Sequence, residues 1–171
     1  MDRTTFEASL MRSPLLSGLD AESRASLVKR FVAFPFQAGE PIIRAGDAGR
    51  HLGVLIDGMA VVQARRQDRA FTVEMLEPGR VFGEIAFFDA QSPRTADIVG
   101  TTNGTAALLT FQSYAELVRL QDPGAAILEK NVLDLLGRRI QATNDKLAEL
   151  LEATQRGTFL DTLRRLLGGR R

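Results

Sequence analysis

The chain has 171 residues, with 22 lysines and arginines, 21 aspartates and glutamates, and a formal net charge of +1. This length fits one domain or one domain with a helical extension, and the near-zero charge gives no overall electrostatic footprint for nucleic acid. Because there is no cysteine, no apolar run near the ~18 residues of a membrane span and no apolar signal-peptide core at the N-terminus, we expect a soluble cytoplasmic protein without disulfides or thiolate metal sites.

The first predicted elements are helices, up to about Phe31, with Asp20 as an N-cap and Glu22 as a first-turn acid. From Val32 the pattern changes to short β runs separated by glycine-centred turns, which is typical of a β-sandwich or barrel. The predicted strands are 32–36, 41–44, 52–56, 60–64, 71–76, 97–99 and 106–111. Asp57-Gly58, between the third and fourth runs, predicts a tight hairpin that joins them.

Beyond Phe111 the pattern becomes helical again. A short helix is predicted over 113–118, a break over 121–124, and one long helix over about 125–152. Apolar residues at steps of three and four form the seam of a coiled coil with one polar member, so we expect a homodimer through this helix. The seam residues are Leu133, Leu136, Ile140, Thr143, Leu147 and Leu150. A second apolar line, Leu128, Val132 and Leu135, is expected to pack against the β region.

The last segment is basic. Its arginines, Arg156, Arg164, Arg165, Arg170 and Arg171, outnumber its one acid, Asp161. Three interpretations remain open: a solvated terminus, the start of a truncated DNA-binding domain, and a docking helix with apolar residues Leu160, Leu163, Leu166 and Leu167. We divide the chain into a β domain with N-terminal helices (1–124), a dimerisation and lid helix (125–152) and a basic amphipathic tail (153–171).

Two short motifs carry the most specific information. They are Phe82-Gly83-Glu84-Ile85-Ala86 and Pro93-Arg94-Thr95-Ala96. The first places a glycine and a carboxylate at a predicted strand-to-helix turn, where N–H groups face an anion and glycine allows a ligand to approach the backbone. The second supplies a guanidinium, which binds a phosphate through two parallel hydrogen bonds. Together they predict a site for a small sugar phosphate.

These motifs resemble the phosphate-binding cassette of cyclic nucleotide-binding domains, the family of the catabolite activator protein, kinase regulatory subunits and nucleotide-gated channels. The resemblance covers roughly residues 14–152. It implies an eight-stranded jelly-roll barrel with an N-terminal helix and a long C-terminal helix, and cAMP or cGMP as the ligand without a metal. It further implies that Arg94 binds the cyclic phosphate, that Glu84 binds the ribose 2′-hydroxyl, and that the N–H groups of Ile85 and Ala86 help to hold the phosphate.

The resemblance also gives roles to three other polar residues. A threonine at the position of Thr95 can bind the amino group of guanine in the syn form, although some adenine-binding members also have threonine. Thr143 and Asn144 match a polar pair that contacts the base across the dimer, with asparagine here in place of serine. A polar notch that fixes the register of the coiled coil is the alternative for this pair. The candidate ligand-binding residues are Phe82, Gly83, Glu84, Ile85, Ala86, Pro93, Arg94, Thr95, Ala96, Thr143 and Asn144.

The sequence as a whole predicts a cyclic nucleotide sensor without catalytic residues, which acts on an unknown partner protein and does not bind nucleic acid by itself. Two alternatives remain within the family: a transcription regulator without its DNA-binding domain, and a scaffold that does not use a nucleotide. Without the two motifs, Glu84 and Arg94 would be only a surface ion pair worth about 0–1 kcal/mol. A metal-dependent jelly-roll enzyme is disfavoured because His51, expected at a strand start, is the one histidine.

Overall fold

A computed structural model describes the backbone of residues 2–66 and 69–167 and the side chains of residues 2–65 and 69–154. The helices are α1 (Arg3–Leu10), α2 (Ala21–Arg30), α3 (Glu84–Phe88), α4 (Phe111–Arg119) and α5 (Pro123–Leu167), with a 3-10 turn at Pro14–Leu16. The strands are β1 (Val32–Phe36), β2 (Pro41–Ile43), β3 (His51–Asp57), β4 (Ala60–Arg66), β5 (Arg69–Leu76), β6 (Val81–Phe82), β7 (Asp97–Gly100) and β8 (Gly104–Thr110).

The eight strands form two antiparallel sheets, ordered β1-β8-β3-β6 and β2-β7-β4-β5. This order is that of a double-sheet jelly roll, so the predicted fold class is confirmed. The strands form two separate sheets and not a closed barrel. All seven predicted strands are present, and their ends lie within two residues of the expected positions. The eighth strand, β6, was not predicted because two residues are too few to show an alternating pattern.

The predicted hairpin at Asp57-Gly58 is wrong. Strand β3 pairs with β6 and β8, whereas β4 pairs with β5 and β7, so the turn carries the chain from one sheet to the other. Gly58 has a φ of 81°, and a Cβ there would lie 2.6 Å from the carbonyl oxygen of Asn103. The glycine therefore indicates that the chain turns and that another backbone lies close to it. It does not indicate which strands pair.

The core lies between the two sheets. Its apolar cluster is formed by Phe36, Ile42, Ile43, Leu55, Ala60, Leu76, Phe82, Ile98 and Ala106. Burial of each large side chain of this kind contributes roughly 1.5–3 kcal/mol. Because Phe82 belongs to this cluster and is 2% exposed, the residue directly before Gly83 is anchored in the core.

Caps define the starts of the helices around the sheets. Asp20 accepts a hydrogen bond from the N–H of Ser23 at 2.8 Å, which confirms it as the N-cap of α2. The strand predicted to reach Phe111 ends at Thr110, because Thr110 caps α4. The side chain of Asp122 accepts the N–H of Gly124 at 2.8 Å, so α5 starts with Pro123 in its first turn, as expected.

The backbone of α5 is helical as far as Leu167, beyond the expected end at about Glu152. The side chains of Arg156, Asp161, Arg164 and Arg165 and of the four tail leucines lie outside the described residues, as do Arg170 and Arg171 entirely. The three interpretations of the basic tail, and the division of the chain at 124 and 152, therefore stay predictions.

The chain divides into two compact units, residues 1–132 and 133–171. The described part of the second unit is the C-terminal portion of α5. Its apolar seam is exposed in the single chain: Leu133 is 67%, Ile140 61%, Leu147 54% and Leu150 65% accessible, and Leu136 is half-buried. No helix in the described part of the chain has the length and apolarity needed to cross a membrane.

Candidate functional site

The first motif forms the predicted strand-to-helix turn. Strand β6 ends at Phe82, Gly83 is the N-cap of α3, and Glu84 is the first residue of that helix. Gly83 has a φ of 79°, in the left-handed region that favours glycine. A Cβ on Gly83 would also lie 2.7 Å from Nη1 of Arg94 and 2.7 Å from the carbonyl oxygen of His51. Glycine is therefore required here both by the backbone and by the close approach of the arginine.

The second motif brings Arg94 onto this turn. Arg94 is 5% exposed; its Nη1 donates to the carbonyl of Gly83 at 2.8 Å, and its Nη2 donates to the carbonyl of His51 at 2.8 Å. These bonds use two of the five N–H donors of a guanidinium. Burial lowers the pKa of Arg94 from its usual value, and the carboxylates of Asp47 and Glu84 act in the opposite direction. The site therefore holds a buried cation close to two carboxylates.

Helix α3 carries the other residues of the first motif. Glu84 is 7% exposed and Ala86 is buried, whereas Ile85 projects to the surface. The first N–H that donates within this helix is that of Phe87, to the carbonyl of Gly83 at 3.2 Å. Because helix geometry gives the preceding N–H groups no intrahelical acceptor, those of Ile85 and Ala86 belong to the positively polarised end of α3.

The remaining residues of the second motif lie around Arg94. Pro93 and Thr95 are exposed and Ala96 is half-buried. The structure thus brings together nine of the eleven candidate residues within one unit, on β6, α3 and the segment that leads into β7. Thr95 is the polar side chain of this motif that solvent reaches.

Thr143 and Asn144 belong to the second unit, and both are exposed on α5. The hydroxyl of Thr143 donates to the carbonyl of Arg139, one turn earlier in the same helix, at 2.8 Å. The contact of these two residues with a nucleotide base stays a proposal.

The loop between β2 and β3, residues 44–50, borders the site and was missed by the sequence analysis. The N–H of Gly46 donates to the carbonyl of Arg94 at 2.8 Å, and the N–H of Arg94 donates to the carbonyl of Asp47 at 3.2 Å. Two backbone hydrogen bonds therefore attach Arg94 to a loop that lies nearly fifty residues earlier in the chain.

Asp97, the first residue of β7, fixes this loop. One carboxylate oxygen, Oδ1, accepts the N–H of Ala45 at 2.7 Å, and the other, Oδ2, accepts Nε of Arg65 at 2.9 Å. The N–H of Ala45, together with the guanidinium of Arg65, holds the pKa of Asp97 below its usual value despite burial. The sequence signal for this role was a charged residue at the start of an otherwise apolar strand.

His51 starts β3, as expected for an ordinary strand residue, but its backbone has a second role. Its carbonyl is one of the two acceptors for the guanidinium of Arg94. Burial and the charge of Arg94 lower the pKa of the imidazole. Within the described residues, no group of three or more histidine, cysteine, aspartate and glutamate side chains is placed to hold a metal ion.

Comparison with known proteins identifies the family. A family model described as "Cyclic nucleotide-binding domain" matches residues 33–121, so the chain belongs to this family. The match includes both motifs, and the resemblance inferred from them is confirmed.

Three relatives show the range of proteins that contain such a segment. The cAMP-dependent protein kinase regulatory subunit of Mycosarcoma maydis is 28% identical over 83% of this chain and 27% of that protein. Glutaminase 2 of Bradyrhizobium diazoefficiens is 33% identical over 81% of this chain and 21% of that protein. The crystal structure of the Thermus thermophilus catabolite activator protein matches with a TM-score of 0.70 and 27% identity, over 81% of this chain and 63% of that one. The chain therefore spans less than two thirds of each relative.

Proposed function

We propose that the chain is a regulatory sensor that binds cAMP or cGMP at residues 82–86 and 93–96. The observation that carries this proposal is the hydrogen bond of 2.8 Å from Nη1 of Arg94 to the carbonyl of Gly83, two residues eleven positions apart. It joins the two motifs at one point and places a buried guanidinium at the N-terminal end of α3, where Glu84 is also buried. An anionic phosphate is the ligand group that this arrangement suits.

Each polar group then has a role in the proposed complex. Arg94 binds the cyclic phosphate, and the N–H groups of Ile85 and Ala86 contribute donors to it. Glu84 accepts the ribose 2′-hydroxyl. Thr95, which solvent reaches, is available to the base. Phe82, Gly83, Pro93 and Ala96 shape the backbone around the ligand.

Signalling is proposed to use the long C-terminal helix. A ligand shifts an equilibrium between two conformations only by its difference in affinity for them. Contacts between the base and Thr143 or Asn144 in one conformation would supply this difference, so nucleotide binding would change the position of the helix.

We also propose that the chain forms a homodimer through α5. The exposed positions Leu133, Ile140, Leu147 and Leu150 recur at coiled-coil spacing on one helix. An apolar stripe of this kind in water typically marks an interaction surface. A second copy of the same helix has the matching stripe, so a symmetric pair buries both.

We propose a regulatory role and no catalytic one. Two of the three relatives described above, a kinase regulatory subunit and a catabolite activator, are regulators by name. The similarity to Glutaminase 2 spans 21% of that protein, so we do not assign the activity of that enzyme to this chain. A second candidate, a transcription regulator of the catabolite activator type, is favoured by the match to the Thermus protein. A gene product that extends beyond residue 171 with a DNA-binding domain would support it.

Thermal unfolding tests the proposed function. A ligand that binds only the folded state stabilises it by about 2.7 kcal/mol at 100 times its dissociation constant. We expect cAMP or cGMP to raise the melting temperature. We expect 5′-AMP, whose phosphate is not cyclised onto the 3′ oxygen, to have little effect. Equal shifts with all three nucleotides would contradict a cyclic nucleotide site.

A further inference from the structure

The short helix α3 depends on other elements for its position. It has five residues, Glu84–Phe88, and a helix of this length is not stable alone. Its backbone bonds include Phe87 N–H to Gly83 carbonyl at 3.2 Å and Asp89 N–H to Ile85 carbonyl at 2.9 Å. The groups that we assign to the nucleotide lie in its first turn, so whatever fixes its last turn also fixes the site.

Arg50 contacts that last turn. It is the final residue of the loop before β3, and its Nε and Nη2 both donate to the carbonyl of Phe87, at 3.1 and 2.7 Å. Phe87 lies next to the C-terminal end of α3. A cation at this end of a helix satisfies a carbonyl without an intrahelical partner and interacts favourably with the helix dipole.

The same arginine is held by the start of α4. Its Cζ lies 3.3 Å from the centroid of the Phe111 ring, and its backbone carbonyl accepts the N–H of Phe111 at 3.0 Å. The rings of Phe87 and Phe111 also pack edge to face, with centroids 5.7 Å apart. Arg50 therefore touches α3 through its N–H donors and α4 through the face of its guanidinium.

We propose that Arg50 is a positioning residue of the nucleotide site: it fixes α3 against α4 and thereby places the first turn of α3 for the ligand. This inference rests on the proposed function, and Arg50 itself acts through Phe87. Arginine is suited to the role because its planar fork makes two bonds to one carbonyl while its face stacks on a ring. The ammonium of lysine is a point charge and reproduces neither contact fully.

Nucleotide affinity gives the first test. Arg50→Lys and Arg50→Ala are each expected to weaken cAMP binding by at least about fivefold, because the charge-assisted bonds that order α3 are weakened by lysine and lost with alanine. Both cAMP and its 2′-deoxy analogue are expected to bind more weakly, since the N–H groups of Ile85 and Ala86 that we assign to the phosphate lie in the same turn of α3 as Glu84. The matched control is Arg12→Ala, since Arg12 also donates to a backbone carbonyl, that of Ala8. Folded variants with parental affinity would overturn the proposal, and so would a loss confined to cAMP.

Amide hydrogen exchange without nucleotide gives the second test, independent of the ligand. Arg50→Ala is expected to speed exchange at Asp89, whose N–H closes the last turn of α3, and to leave the core strand β8 unchanged. Unchanged exchange at Asp89 would overturn the proposal. Phe111→Leu removes the ring on which Arg50 stacks, together with its edge-to-face contact with Phe87, and should speed the same exchange. It serves as the second variant if Arg50→Ala fails to fold. If the parent binds neither cyclic nucleotide, the proposed function fails, whereas faster exchange would still support Arg50 as the residue that fixes α3.

Discussion

Arg94 and Gly83 are joined by a hydrogen bond of 2.8 Å between Nη1 of the arginine and the carbonyl oxygen of the glycine. The same glycine leaves the space that the guanidinium occupies, because a Cβ there would lie 2.7 Å from that nitrogen. The two residues are therefore mutually dependent. Gly83 turns the chain from β6 into α3, and Arg94 connects this turn to the segment that leads into β7.

The proposed ribose contact of Glu84 leads to a prediction on ligand preference. Glu84→Gln should weaken cAMP binding and should narrow the preference for cAMP over 2′-deoxy-cAMP, because the 2′-hydroxyl loses a charged acceptor worth about 1.5–3 kcal/mol. Titration of both ligands against the parent, Glu84→Gln and the exposed control Glu77→Gln measures this. A ratio of the two affinities that is unchanged in Glu84→Gln would remove Glu84 from the ribose site.

Thr95 leads to a prediction on the choice of purine. Thr95→Ala should reduce cGMP affinity more than cAMP affinity, by roughly fivefold for one neutral hydrogen bond, because syn guanine has an amino donor near the phosphate and adenine does not. Competition binding with both nucleotides gives the two affinities, and Thr101→Ala serves as an exposed threonine control. Equal losses for both nucleotides would show that Thr95 acts on the phosphate or by packing.

The seam of α5 leads to a prediction on oligomeric state. The parent should sediment as a dimer at micromolar concentration, and the pair Ile140→Lys with Leu147→Lys should give monomers, because like charges would face each other across the seam. Gln141→Lys with Ala148→Lys has the same spacing one position away from the seam and should stay dimeric. A monomeric parent, with and without nucleotide, would rule out the dimer.

Asp97 leads to a prediction on pH. Its pKa is lowered in the folded chain, so its contribution to stability is complete above the unfolded-state pKa and is lost as pH falls through the lower, folded-state pKa. Asp97→Asn should therefore cost about 1 kcal/mol at pH 7 and less at about pH 3, which lies below the ordinary aspartate pKa of ~3.9. Urea unfolding of the parent, Asp97→Asn and the exposed control Asp57→Asn at both pH values measures this. A cost that is independent of pH would mean that the charge of Asp97 is not involved.

Local patterns were enough to predict most of the fold and to bring forward the central residues of the candidate site, whose role in binding stays a proposal. The strands follow from alternation and glycine turns, and the two motifs identify Gly83, Glu84 and Arg94 from their chemistry and spacing. The structure confirms the strand-to-helix turn at Gly83, and it shows in addition that both charged residues are buried.

The parts that the sequence did not predict depend on contacts between distant positions. Asp97 binds Ala45 across 52 positions, and Arg50 binds Phe87 across 37 positions. Asp97 is marked locally as a charged residue at the start of an apolar strand, but no local pattern identifies the partner in either pair, because only the fold brings the two positions together. The sheet change at Asp57-Gly58 was missed for the same reason, since pairing is decided by the whole sheet.

Calorimetric titration of the chain with cAMP and cGMP, alongside Arg94→Ala, tests the central claim most directly. We predict that the parent binds at least one of the two with one site per chain, and that Arg94→Ala binds it at least about tenfold more weakly, because a charge-assisted bond is worth ~1.5–3 kcal/mol. Arg12→Ala should bind like the parent, and circular dichroism establishes that each variant is folded. A parent that binds neither nucleotide, or a folded Arg94→Ala that binds as tightly as the parent, would contradict the account.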